Sequence, residues 1–379
     1  MSIDNNSTKK PICQEHTSAV EQELKEKFAP RRLQSEMLAG SYERLHFDSR
    51  AHRVNECGTY LGFGLTADPA AGLHRGVPAA GLELTKPKLV TANFCRDRLC
   101  PMCNWRRSHK IFGQVSKIMS FIAADYAFIF VTLTVPNVQG CDLSKKIDEM
   151  QAAWDRLLHY KAIKQAVKGY FKAVEVTRNK NHASPWYGTY HPHYHTVFAV
   201  AKDYFSGSDY IDRNDLLKLW QKATRDPTIT QVDMRRAGIK KKREGMSDAD
   251  ALAASVAEIA KYAVKSSDFL GKIDKEGRVY APLPDIEQDE IVLTLANALA
   301  GRRLCSFGGC FEDARKLLNL EDPEDGDLIH DDDDILNPDL LEMIAYYGWS
   351  CGAYKLIKLV PKSDMNKNKN SVIIECEDE

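Results

Sequence analysis

The chain has 379 residues and a mass of 42.7 kDa, enough for two or three domains and a sizeable core. With 44% hydrophobic and 28% charged residues it has an ordinary globular composition, and without any run of eighteen apolar residues it predicts no membrane span. The net charge of −1 hides a split: residues 281–379 carry 22 acids against 9 bases, whereas residues 1–280 carry 31 acids against 43 bases. A basic body with an acidic tail is a pattern of nucleic-acid-binding proteins. The polar N-terminus lacks a signal-peptide core, which predicts a cytosolic chain. Its ten cysteines, where clustered, then read as metal ligands rather than as a disulfide framework.

In chain order, residues 1–50 are polar and charged, with helical periodicity from Glu21 to Arg44 interrupted by Pro30. Short strands are expected at Thr59–Phe63 and Leu89–Phe94, and a helix at 108–124, where Ile111, Val115, Ile118, Met119 and Ile122 recur at helical spacing. Tyr126–Val135 is a β-branched and aromatic run that predicts a buried strand, ended by Pro136 and Asn137. A long amphipathic helix over 143–167 follows. Then come strands at 169–177 and 191–200, which a short loop would join as an antiparallel hairpin. A helix at 214–224, a strand at 229–235, a basic stretch and a helix at 247–266 capped by Ser247 complete the body. The tail predicts a helix near 291–303, a turn at Gly308–Gly309 and an acidic loop at 321–334, the Asp331–Asp334 run being read as solvated. This order of elements fits an α+β domain around a central antiparallel sheet.

Three segments carry chemistry. In FCRDRLCPMC, Cys95, Cys100 and Cys103 sit on a tight turn that can present thiolates to one tetrahedral zinc, and Cys57, brought back by a hairpin, is the natural fourth ligand. His52 and His109 are substitutes for it, and scattered buried cysteines are the alternative. Arg96, Arg98, Arg106 and Arg107 would give this module a basic rim for phosphates. In HPHYHTVFAV, strand alternation puts His193 and His195 on one face with Tyr194 behind. Two imidazoles on one face begin a divalent-cation site, and the third ligand is either Glu175 on the preceding strand or His191. In EIAKYAVK, Glu258, Tyr262 and Lys265 share a helix face. A tyrosine near a metal can attack a phosphodiester, a lysine can stabilise the charge, and a carboxylate one turn away can activate water. On its own this segment would be an ordinary surface helix with ion pairs. Arg235, Arg236, Lys240, Lys241, Lys242 and Arg243 are phosphate-contact candidates.

The segments FVTLTVPN, HPHYHTVFAV and EIAKYAVK, in that order, resemble the three motifs of the HUH endonuclease superfamily. From about residue 50 to about 355 the chain resembles the replication initiator (Rep) proteins of small rolling-circle bacterial plasmids. ECGTYLGF and FCRDRLCPMCNWRRSHK are similar to the cysteine-rich lead-in of that family, and ALAGRRLCSFGGCFEDARKLL to its C-terminal part. The resemblance implies a ferredoxin/RRM-like domain whose sheet carries Mn²⁺ or Mg²⁺ on His193 and His195. It implies Tyr262 as the nucleophile that nicks at the double-strand origin, stays on the 5′-phosphate and frees a 3′-OH. Glu258 matches a glutamate that directs water in the terminating cleavage, and Tyr262 has no tyrosine at i±4. The expected partners are origin DNA, as hairpin and single strand, and the host helicase and replication machinery, since the sequence has no Walker A pattern.

The expected organisation is a polar arm or irregular helix pair over 1–50, a cysteine-rich zinc module over 51–110, the endonuclease domain over 111–280, and an acidic, mixed, mostly helical region over 281–379. A related single-strand transposase or relaxase, a zinc-ribbon DNA-binding protein without activity, and a metal-dependent hydrolase without a covalent intermediate are the alternatives. Relaxases usually place the nucleophile near the N-terminus, whereas Tyr262 follows the histidine motif.

Overall fold

The computed structural model describes residues 20–66, 88–237, 256, 264–274, 278–280, 282–329 and 341–361. The helix that runs from Val20 widens into a π-helical turn, Leu24–Phe28, and continues as α1 (Ala29–Arg44); Pro30, which has no N–H to donate, follows directly after that wide turn. The remaining elements are α2 (Asp48–Asn55), β1 (Tyr60–Thr66), β2 (Lys88–Ala92), α3 (Pro101–Ile122), β3 (Tyr126–Thr134), α4 (Gly140–His159), α5 (Lys161–Ala166), β4 (Val167–Arg178), β5 (Tyr190–Ala201), α6 (Arg213–Thr224), β6 (Val232–Arg236), β7 (Lys272–Ile273), β8 (Val279–Tyr280), α7 (Asp285–Leu299), β9 (Cys305–Gly309), α8 (Cys310–Leu317), β10 (Leu341–Ser350) and β11 (Ala353–Pro361). The fold is α+β, as expected. The single long helix expected over 143–167 is two, because Tyr160 adopts an extended backbone.

The central sheet has five antiparallel strands in the order β6-β3-β5-β4-β9. One face packs on α4 and α6. On α4, Leu143, Ile147, Met150, Trp154 and Leu157 are buried at helical spacing. Trp154 meets Tyr170, Tyr194 and Phe198 of the sheet, and the Trp220 indole donates to the Thr134 carbonyl at 2.7 Å. On the other face, Phe171 packs with Phe307, and Phe128 with Phe311 of α8. Helix α8 lies between β4 and α3.

The C-terminal region adds strands to both large sheets. Strand β9 forms the edge of the central sheet, and β10 and β11 join the hairpin β1–β2 in a second sheet ordered β11-β10-β1-β2. Gly308 and Gly309, expected as a turn, instead end β9 against β4. A side chain on Gly308 would strike the Tyr170 ring, and one on Gly309, at φ +56°, the Lys168 carbonyl.

The acidic segment after α8 is built into the fold. Lys110 donates to the Glu321 carboxylate at 2.5 Å and the Asp327 carbonyl at 2.7 Å, and Arg106 donates to the carbonyls of Leu328 and Ile329 at 2.8 Å each. One Glu324 oxygen accepts from the backbone of Leu304 and Cys305. Asp331–Asp334 lie outside the described residues.

Lys172 is an apolar-face anomaly. Its ammonium lies over the Tyr194 ring at 4.6 Å and the Trp154 ring at 5.2 Å, and donates to Gln151 at 2.6 Å. Burial pulls it down to about 8, against the opposing pull of Asp155 and Cys305. Between that value and the ordinary lysine value of 10.5 the unfolded chain holds the extra proton, so this group makes stability rise with pH across that window. From pH 7.5 to 10, urea unfolding should show wild type gaining about 1–3 kcal/mol relative to Lys172→Met. A pH-independent difference would place the charge in solvent-like surroundings.

Candidate metal centres and the sheet-borne site

The four cysteines converge by simple topology. Cys57 precedes β1 and Cys95 follows β2, so the antiparallel pairing of Leu61 with Ala92 closes the hairpin's base on both. Cys100 caps the N-terminus of α3 and Cys103 lies in its first turn, where the helix dipole favours thiolates. The sulfurs of Cys57 and Cys103, Cys57 and Cys100, and Cys95 and Cys103 are 3.6, 3.6 and 3.7 Å apart, and all four lie within 4.8 Å of one another. Thiolates about 2.3 Å from one tetrahedral ion would be separated by roughly 3.8 Å, so the cluster fits such an ion. Backbone N–H groups of Cys95, Arg96 and Asp97 donate to the sulfurs of Cys57, Cys103 and Cys95 at 3.3, 3.2 and 3.4 Å. Arg96, at φ +59°, makes the turn that aims them. Burial opposes ionisation of Cys100, but hydrogen bonds from Cys103, Cys57 and Cys95 outweigh it and hold this thiol low. His52 is exposed on α2 and His109 lies edge-on to Trp105; neither is in the cluster.

The flanking arginines differ from the expected phosphate rim. Arg107 donates to the carbonyls of Arg96 and Asp97, Arg106 holds the acidic segment, and both are buried. Arg96 donates to the Asp325 carbonyl and Arg98 pairs with Glu324. Spacing alone did not reveal that the acidic tail folds back onto this helix.

On the central sheet, register places Glu175 opposite His193, and His195 opposite Thr132. The Nε2 atoms of His193 and His195 are 3.1 Å apart, and one Glu175 oxygen lies 3.3 Å from the first and 2.8 Å from the second. His193 Nδ1 lies 3.1 Å from the His191 carbonyl, which assigns the proton there and leaves the Nε2 lone pair facing the cluster. Three facing acceptors need a proton or a cation between them. Octahedral ligands about 2.1 Å from an ion have neighbouring edges of roughly 3.0 Å, and the triad's edges match this. Burial works against the Glu175 carboxylate, yet the adjacent imidazoles of His193 and His195 and the charge of Lys265 hold it far below the usual range. Its second oxygen has no hydrogen-bond donor among the described residues and faces the Lys265 ammonium at 3.3 Å. His191 stacks on the His193 ring and stays outside the triad.

Of the helix motif, Lys265 is described and reaches the triad, whereas Glu258 and Tyr262 lie outside the described residues. So do Lys240, Lys241, Lys242 and Arg243. Arg235 pairs with Asp233 at 2.5 Å and Arg236 covers the Phe205 ring, both on the edge strand β6. The sequence reading missed two supports. Thr132 Oγ1 lies 3.4 Å from His195 Nδ1, and Lys180 donates to Asp268 at 2.7 Å, tying the β4–β5 loop to the segment that carries Lys265. The threonines alternating at 132 and 134 within an otherwise apolar run were the available signal.

With this geometry in hand, comparison with known proteins is decisive. The replication protein family model matches residues 86–355. The chain belongs to this replication protein family. It is 37% identical to a Protein rep of Bacillus sp over 298 residues, covering 75% of this chain and 85% of that one. It is 34% identical to a Protein rep of Bacillus amyloliquefaciens over 335 residues, covering 82% and 88%. A Replication protein of Staphylococcus aureus is 32% identical over 249 residues, 64% of this chain and 94% of its own. No solved structure matches significantly. The resemblance to plasmid replication initiators read from the sequence therefore stands. Among the described residues no helix is long and apolar enough to cross a membrane.

Replacing Cys103 by Ser should remove about one bound metal ion per chain, read by plasma mass spectrometry, and lower the melting temperature by several degrees. Unchanged metal content would reject the cluster as a metal centre.

Proposed function

We propose that this replication initiator nicks one strand of its plasmid's double-strand origin and becomes joined to the 5′-phosphate through Tyr262. The observation that carries the reading is the Glu175–His193–His195 triad with Lys265 against it, because Lys265 lies three residues after Tyr262. The triad would hold Mn²⁺ or Mg²⁺, which when bound polarises the scissile phosphate. The four cysteines would hold a structural Zn²⁺. In this reading residues 51–110 form the zinc module and 111–280 the nuclease, with β9 supplied from the acidic region.

The Tyr262 oxygen forms a bond to phosphorus and the bond to the 3′ oxygen breaks. The tyrosine proton leaves to solvent or a nearby base, and the departing 3′ oxygen takes up a proton as the primer hydroxyl. Lys265 offsets charge beside the reacting phosphate. At termination Glu258 accepts a proton from water as it attacks, so that no second protein–DNA link forms. The reading implies the cytoplasm as the place of action and a host helicase as partner, together with origin DNA contacted through Arg235, Arg236 and the basic residues 240–243.

A denaturing gel of the protein with labelled single-stranded origin oligonucleotide and Mn²⁺ tests this. Wild type should give a covalent protein–DNA band that Tyr262→Phe lacks. Cleavage without such a band would identify a hydrolase, and the absence of cleavage by a folded, metal-loaded protein would favour a DNA-binding protein without activity. A Glu258→Ala protein should nick at near wild-type rate but release poorly at termination; normal termination would remove the water-activation role.

A further inference from the structure

We propose that Trp186 is a stacking platform for an unpaired base of the DNA strand that passes the metal triad. The proposal rests on the nuclease reading above. Trp186 is 58% exposed, whereas Trp154 and Trp220 are buried in the core. It sits in the loop between β4 and β5, whose first residue follows Glu175 by four positions. At the strand rise, Arg178 at the end of β4 is about 10 Å from Glu175.

The loop is held in one shape. Asn179 and Thr189 share a backbone bond at 2.9 Å, the Asn179 carbonyl accepts from Gly188 at 2.9 Å, and the Trp186 amide donates to Ser184 Oγ at 3.2 Å. The Thr189 hydroxyl donates to the Trp186 carbonyl at 2.6 Å. Tyr187, next to Trp186, is tied to Glu287 at 3.1 Å. An exposed indole on an ordered backbone loses little freedom when a base stacks on it.

The surroundings favour nucleic acid over a protein partner. Residues 178–189 contain Arg178, Lys180 and His182 and no Asp or Glu of their own, and Arg178 and Lys180 are held in place by Glu287 and Asp268, each at 2.7 Å. Within residues 178–189 Trp186 is the one large apolar side chain that is exposed, and protein interfaces use contiguous apolar patches and not one isolated ring. A single aromatic plane beside cations is the composition that holds unpaired bases. Lys180, through Asp268, links the loop to the segment whose Lys265 meets Glu175. A strand stacked on Trp186 would therefore lie at the triad's end of the sheet.

The test is fluorescence anisotropy of a labelled twenty-nucleotide oligo-dT with the full chain, comparing wild type, Trp186→Ala and Trp186→Phe over a range of salt. The alanine variant should bind roughly tenfold more weakly, and phenylalanine should restore most of the loss. The slope of log affinity against log salt should be the same for all three, because no phosphate contact is removed. Metal content and melting temperature of the variants should match wild type. Alanine binding within twofold of wild type, or a loss of affinity accompanied by a changed salt slope, would overturn the platform. If the Tyr262 adduct still forms in that case, the nuclease reading survives. A wild type that neither binds the oligonucleotide nor forms the adduct overturns both.

Discussion

The site depends on one register. Glu175 pairs with His193 across two twelve-residue strands at the centre of the central sheet. Strand side chains alternate with a period of two, so a slip by one residue would turn Glu175 into the α4 packing layer and point Lys172 at the histidines. The register is fixed by the buried aromatic residues on the opposite face: Tyr194 and Phe198 pack on Trp154 only when the histidines face the other way. A buried carboxylate is thereby placed where two imidazoles and an ammonium offset its desolvation. Its position is set by the core and not by a loop, which suits a site that must hold reacting groups closely.

The cysteine cluster and the triad are joined through α1. Ser35 Oγ is 3.5 Å from Cys100 Sγ, and the preceding residue, Gln34, accepts from Ser266 at 2.9 Å and donates to the Gly271 carbonyl at 3.2 Å. Adjacent residues of one helix thus touch the clustered thiols and the segment just after Lys265. Lys180 grips that same segment from the β4–β5 side. Phe269 and Leu270 are buried beneath it. The segment bearing Lys265 is pinned from the cysteine module and from the central sheet, so disturbing the cluster reaches the triad through a short covalent and hydrogen-bonded path.

Much of the central sheet was legible, because its strands are β-branched and aromatic runs bounded by Pro, Asn and Gly. The facing of His193 and His195 followed from alternation alone. Glu175 as their neighbour followed from the expectation of a hairpin, although only the folded register places it opposite His193 and leaves His191 stacked outside. The meeting of Cys57 with the other three thiols was legible for the same reason. Long-range closure was not. Nothing local in Leu341–Pro361 says that it completes the sheet begun by Tyr60–Thr66, and nothing in Cys305–Gly309 says that it edges β4. Those pairings are set by which edges remain open once the core has formed. The break between α4 and α5 was hidden by a hydrophobic period that continues across Tyr160.

The charge split along the chain also changes meaning in three dimensions. Read linearly, it suggests a basic nucleic-acid surface and a separate acidic tail. In the fold, the first acids of that tail, Glu321 and Glu324, together with backbone carbonyls around them, satisfy Lys110, Arg106, Arg98 and Arg96. Arg106 and Lys110 are buried because α3 packs inside the protein, and an unpartnered ammonium as deeply buried as that of Lys110 would be costly. The acidic segment therefore works as internal counter-charge, and part of the basic excess of residues 1–280 is consumed by it. The β4–β5 loop, which joins the two strands that hold the triad, and the edge strand β6, which pairs with β3, show the same habit: Arg178 pairs with Glu287, Lys180 with Asp268 and Arg235 with Asp233. Tertiary pairing thus turns a charge split along the chain into ion pairs and hydrogen bonds inside the fold.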